Sequence, residues 1–150
     1  MALDIEDVRR RVNVDEPNYP ALAAALGRAA VPYLRALVED DDSAVASKAA
    51  YVLSLIATPE SLEGLEAAAR SGDENVRLAA AAGFRNLTAP PEDVLRRLLA
   101  DPDPGVRKVA LRSTEAVAAD ALRADVERMA SADPEEGLRR AAQDVLPRLG

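Results

Sequence analysis

The side chains in this sequence that could do chemistry are almost all carboxylates, guanidinium groups and amines. There are 26 Asp and Glu residues and 19 Lys and Arg residues, and there is no His and no Cys. Without His the commonest general base and the His-dependent triads are excluded, and without His and Cys the usual zinc and non-haem iron ligands are missing. None of the 7 glycines falls at the spacing of a phosphate-binding loop. We therefore predict a protein that is not an enzyme and that has no cofactor and no metal site.

Two acidic segments could be taken for cation sites. The run at 39–42, Glu-Asp-Asp-Asp, is not followed by further oxygen ligands at the spacing of a calcium loop. The segment Asp-Pro-Asp-Pro-Gly at 101–105 begins like such a loop, but its Gly comes one residue early and Arg112 occupies the twelfth position. We interpret both segments as solvated turns that end one helix and cap the next.

The composition indicates which elements carry these charges. Hydrophobic residues make up 49% of the chain and aromatic residues only 3%, so the apolar content is mostly Ala, Leu and Val, and the first two are strong helix formers. The N-terminal residues are acidic and lack the apolar region of a signal peptide. No apolar run approaches the ~20 residues of a transmembrane helix. These features predict an all-α, cytoplasmic protein that does not enter a membrane.

An internal repeat organises the chain. Four similar segments are anchored at Val45, Val76, Val106 and Leu138, which are separated by 31, 30 and 32 residues. Counted from each anchor as zero, positions 0, +4, +8 and +11 are apolar, as on one face of an α-helix. The exception is Thr114, which stands at +8 of the third segment.

A second, shorter apolar stripe precedes each anchor, so each repeat is predicted to be a pair of helices. We expect one domain over residues 1–150, with a degenerate N-terminal cap at 1–29, because terminal repeats are often atypical. The predicted repeats are 30–58, 59–88, 89–119 and 120–150.

The repeated pattern Asp-x-x-[Val/Leu]-Arg-x-x-Ala resembles HEAT repeats, especially the short kind related to the phycobilisome-lyase group. It is clearest at 73–87 and 103–117, and Ala46 departs from it where the other repeats have Arg. The resemblance implies a right-handed α-α superhelix of about four to five helix pairs, in which the second helix of each pair lines the concave side. It also implies a ladder of acid–arginine contacts between neighbouring repeats, formed by arginines that each follow an acidic residue by four positions, namely Arg77, Arg107 and Arg139 after Asp73, Asp103 and Glu135.

The face opposite the anchors is the candidate binding surface. Positions +2, +6 and +9 lie roughly opposite the buried face at 100° per residue. These rows are more basic than a chain whose net charge is −7. The predicted partner-binding residues are Tyr51, Leu78, Arg85, Lys108, Arg112 and Arg140. Three other aromatic residues, Tyr19, Tyr33 and Phe84, are interpreted as packing residues.

The predicted function is a scaffold or adaptor module that binds a protein partner with an acidic or amphipathic segment through its concave face. One alternative is a nucleic-acid-binding or base-excision protein of the HEAT-like kind, although the net charge of −7 and the absence of Trp count against it. Another alternative, implied by the resemblance, is a tetrapyrrole lyase or chaperone. The sequence leaves the partner and the oligomeric state open, as well as whether the chain is one domain of a larger protein.

Overall fold

The computed structural model describes residues 3–149, and within them ten α-helices form and no strand does. The helices are α1 (Ile5–Val12), α2 (Tyr19–Leu26), α3 (Val31–Leu37), α4 (Ser43–Ile56), α5 (Pro59–Ala69), α6 (Glu74–Gly83), α7 (Glu92–Leu99), α8 (Pro104–Ala116), α9 (Arg123–Ala132) and α10 (Glu136–Val145). They make five consecutive pairs, and short 3-10 turns precede α3 and α9 and follow α6 and α10. The predicted all-α solenoid is confirmed.

Acidic residues begin most of the second helices, because their carboxylates accept hydrogen bonds from first-turn N–H groups that have no partner within the helix. Asp42 accepts from the N–H groups of Ala44 and Val45, and Asp73 and Asp103 occupy the same N-cap position of α6 and α8. The acidic turns at 39–42 and 101–105 therefore cap helices, as the sequence analysis expected.

The core lies between the two helices of each pair and between successive second helices. All four anchors are buried, with exposed fractions of 5% or less. Thr114 is buried among them because its hydroxyl donates to the carbonyl of Ala110 at 2.8 Å, so no polar group is left unpaired. A Cβ added at Gly83 would lie 2.8 Å from the Cβ of Ser54, which shows how closely α6 approaches α4.

The second helices pack more closely against one another than the first helices do. Packing of α4 against α6, and of α6 against α8, is more extensive than packing of α3 against α5 or of α5 against α7. A stack whose helices are closer on one side curves toward that side. The second helices therefore form the inner surface of the solenoid. None of the helices within residues 3–149 combines the length and apolar character that crossing a bilayer requires.

An acid–arginine ladder joins neighbouring pairs. Arg107 donates from Nε and Nη2 to the carboxylate of Asp133 in the next pair, at 2.9 and 3.1 Å, and from Nη1 to the carbonyl of Asp101 at 2.9 Å. Arg77 makes the same three bonds, with the carboxylate of Asp101 and the carbonyl of Ser71. The predicted ladder exists, but its acids are not those four residues before each Arg. They lie two residues before the N-cap of the next second helix.

The ladder changes toward the N-terminus. Arg9, on α1, pairs with Asp40 at 3.2 Å and so joins the first pair to the second. Between the second and third pairs both members are missing, because Ala46 and Ser71 occupy the positions that hold Arg and Asp in the later pairs. The loss of both partners together leaves no buried charge unpaired at this junction.

Candidate partner-binding surface

The predicted binding residues all reach the surface formed by the second helices. Tyr51 is half-buried, and the other five predicted residues are exposed, namely Leu78, Arg85, Lys108, Arg112 and Arg140. They lie on α4, α6, α8 and α10, except that Arg85 lies in the 3-10 turn directly after α6. We call these residues, with their neighbours on the same face, the inner strip.

One end of the inner strip is aromatic. The rings of Tyr19 on α2 and Tyr51 on α4 meet edge to face, with their centroids 4.8 Å apart. Together with Ser47, Lys48 and Ala79 they line a shallow groove between α2, α4 and α6. Burial raises the pKa of the Tyr19 hydroxyl, so that hydroxyl keeps its proton at neutral pH.

Ser47 contributes an unusual polar atom to this groove. Its Oγ is buried and has no hydrogen-bond partner within the described residues. Most buried hydroxyl groups are paired, so an unpaired one needs an explanation. A bound segment that offers a backbone N–H or C=O group at this point would satisfy it.

Leu78 connects the aromatic end to α8. It is one of the exposed large apolar residues, with 37% of its surface accessible. Its Cδ1 lies 3.6 Å from the point where a Cβ on Gly105 would stand, so the side chain leans across the junction between α6 and α8. The apolar part of the inner strip therefore extends from α2 to the start of α8.

The other end of the inner strip is cationic. Within the part of the chain that the structure describes, Arg85, Lys108 and Arg112 form no ion pair. Arg140 differs, because its guanidinium donates to Glu136 at 2.8 Å on the same helix. Three of the four predicted cations thus keep their charge available for a ligand, and the fourth is partly neutralised.

The aromatic residues that were interpreted as packing residues behave differently from one another. Phe84 is fully buried, and Tyr33 packs partly buried against the core. Tyr19 packs against Tyr51 and also lines the groove. Lys48, which the sequence analysis did not select, borders the same groove, and its Nζ donates to the carbonyl of Val14 at 2.7 Å. Tyr19 lies in the degenerate first pair, which carries no repeat signature that could align it with the later rows.

Comparisons with known proteins agree with this architecture. Residues 20–85 match the family model of HEAT repeats. The fold is similar to that of a chain in the complex of CpcE and CpcF of phycocyanin lyase from Nostoc sp. PCC7120, with a TM-score of 0.71 and 24% sequence identity over 95% of this chain and 99% of that chain. The comparison with curated proteins gave no significant match. The repeated motif, the family match and the shared fold together identify the chain as a HEAT-like repeat protein.

Proposed function

We propose that this chain is a non-catalytic interaction module that binds a segment of a partner protein along the inner strip. The observation that carries the proposal is the continuity of one face, which begins with the Tyr19–Tyr51 pair and Leu78 and ends with unpaired cations. Aromatic and arginine side chains supply much of the binding energy at protein interfaces. A concave helical surface is the usual binding surface of solenoids.

The order of groups along the strip specifies the ligand. Packed helices lie roughly 8–10 Å apart, so the three steps from α4 to α10 span roughly 27 Å. An extended segment rises about 3.3 Å per residue, and about eight residues would cover this distance. Apolar residues of that segment would lie against Tyr51 and Leu78, and acidic residues would lie against Lys108 and Arg112.

Affinity capture from a cell extract, read by mass spectrometry, tests this proposal. The test variant carries R85E, K108E, R112E and R140E. The control variant carries R11E, R28E, R70E and R97E, which changes the charge equally at exposed positions on or beside the first helices. A partner held by the native chain and by the control variant, but lost from the test variant, supports the inner strip. A partner that both variants retain would contradict it.

A synthetic peptide from the captured partner then gives a quantitative test. Its binding should weaken as the salt concentration rises, because exposed charges are screened beyond a Debye length of ~8 Å at physiological ionic strength. A Y51A/L78A variant should lose affinity that salt does not restore, since burial at this end is apolar. Affinity that is independent of both ends would place the binding site elsewhere.

A second candidate function rests on the fold shared with a chain of the CpcE–CpcF complex of phycocyanin lyase. On this proposal the chain would work as one subunit of a two-protein complex that handles a bilin-type tetrapyrrole. Mixing the chain with a free bilin, alone and together with a captured partner, would shift the bilin absorption spectrum. An unchanged spectrum in both mixtures would exclude this role and leave the interaction module.

A further inference from the structure

Arg139 repeats the position of the two ladder arginines but has no acid opposite it. It directly follows the anchor of the last pair, as Arg77 and Arg107 follow theirs. Its Nη1 donates to the carbonyl of Asp133, six residues earlier, at 2.7 Å. The same bond to the carbonyl six residues earlier holds Arg77 and Arg107 in place, at 2.9 Å in each.

The other side of the Arg139 guanidinium is open. In Arg77 and Arg107 the Nε and Nη2 groups clasp a carboxylate of the next pair. Within residues 3–149 the Nε and Nη2 groups of Arg139 have no hydrogen-bond acceptor. The last pair thus presents an oriented, two-donor site for a carboxylate, and such paired donors favour bidentate binding.

The ladder also defines what kind of group fits this site. Each bound acid lies in the turn between the two helices of a pair, two residues before the N-cap of the second helix. Its carboxylate also accepts the N–H of the N-cap residue, as Asp101 does from Asp103 at 2.9 Å and Asp133 from Glu135 at 2.9 Å. The ligand is therefore an acidic turn of a helix pair.

The first pair of this same chain carries such a turn. Asn18 is the N-cap of α2, and Glu16 lies two residues before it with Asp15 beside it. Both acids are exposed, and neither forms an ion pair within the described residues. The first pair has an acidic turn without an arginine, and the last pair has an arginine without an acid.

We propose that two copies of this chain associate head to tail, with Arg139 of one copy binding the Asp15–Glu16 turn of the other. The contact would extend the internal ladder across the junction between the two copies. It is heterologous, so each dimer keeps one free end of each kind and longer chains can form. This proposal does not depend on the inner strip, which involves a different face of the helices.

Two features set the strength of the contact. In the earlier pairs the fifth residue after each anchor is buried against the next pair, as Ala50, Ala81 and Leu111 are, whereas Gln143 is exposed at the same position. Each copy also carries a net charge of −7, and like net charges repel. We therefore expect a reversible association that depends on protein concentration.

Sedimentation equilibrium of the whole chain tests the proposal with complementary variants. The native chain should show an average mass that rises with concentration above that of one copy. R139D alone and D15R/E16R alone should each remain at the mass of one copy. An equimolar mixture of these two variants should form a dimer and stop there, because only one native junction remains.

A matched control separates this contact from general charge effects. R97D changes the charge by the same amount as R139D at an exposed position on α7 and should associate as the native chain does. Circular dichroism of each variant checks that its helix content is unchanged. A native chain that stays at the mass of one copy at every concentration would overturn the proposal. Association that R139D leaves intact, or a variant mixture that does not dimerise, would overturn it as well.

Discussion

Replacement of Arg107 by Leu should unfold the stack more easily than any single change of a surface charge. The side chains of Arg107 and Asp133 are only 11% and 3% exposed. Without the guanidinium, the carboxylate stays buried and loses two hydrogen bonds. Breaking a buried ion pair by removing one partner costs about 3–5 kcal/mol. For a chain of this size that corresponds to a fall in Tm of roughly 6–20 °C.

Urea unfolding followed by circular dichroism measures this cost, with the slope of the transition as a check that unfolding remains cooperative. The double variant R107L/D133N should recover part of the loss, because no buried charge then remains. R140Q is the control, since the Arg140–Glu136 pair is exposed and such pairs contribute about 0–1 kcal/mol. If R107L costs no more than R140Q, the ladder does not stabilise the stack and this reasoning is wrong.

Two further predictions concern the N-terminal part of the ladder. The Arg9 hydrogen bond, and then the N–H of Asp42, hold the pKa of Asp40 below its usual value. Its stabilising effect is therefore complete above the unfolded pKa of about 3.9 and is lost as pH falls through the lower folded pKa; D40N should be less stable than the native chain at pH 7, with the difference disappearing in acid. The pair of changes A46R and S71D should restore the missing ladder contact, with a favourable coupling of about 1 kcal/mol in a double-mutant cycle.

Each of these predictions has a clear contrary result. A difference between D40N and the native chain that persists unchanged in acid would mean that the Asp40 carboxylate does not act through its charge, and D41N, at an exposed neighbouring position, is the control. Additive effects of A46R and S71D would mean that the second and third pairs are not arranged like the later ones. Urea unfolding measures the stabilities in both experiments.

The periodic apolar pattern was sufficient to predict the helix pairs. The anchors fall on α4, α6, α8 and α10, and all of them are buried. Even the exception in the pattern has a local explanation, because Thr114 pairs its hydroxyl within its own helix. Helical periodicity depends on neighbours three and four residues apart, so the sequence displays it directly.

Contacts between repeats could be predicted only in kind. Asp103 lies four residues before Arg107 and is a plausible ion partner, yet it caps α8 while Asp133, 26 residues later, binds the guanidinium. Both acids precede a helix, so residue type alone cannot distinguish them. Tyr19 was missed as a surface residue for a related reason, since its contact with Tyr51 depends on how α2 packs against α4.

Photo-crosslinking tests the central claim, binding along the inner strip, most directly. A benzoylphenylalanine replaces Leu78 in one variant and Arg97 in another, both at exposed positions. After illumination with the captured partner, the account predicts a crosslinked product from position 78 and none from position 97, with the crosslink mapping to a partner segment that contains apolar and acidic residues. Crosslinking from position 97 alone would show that the partner binds the first helices and would contradict the account.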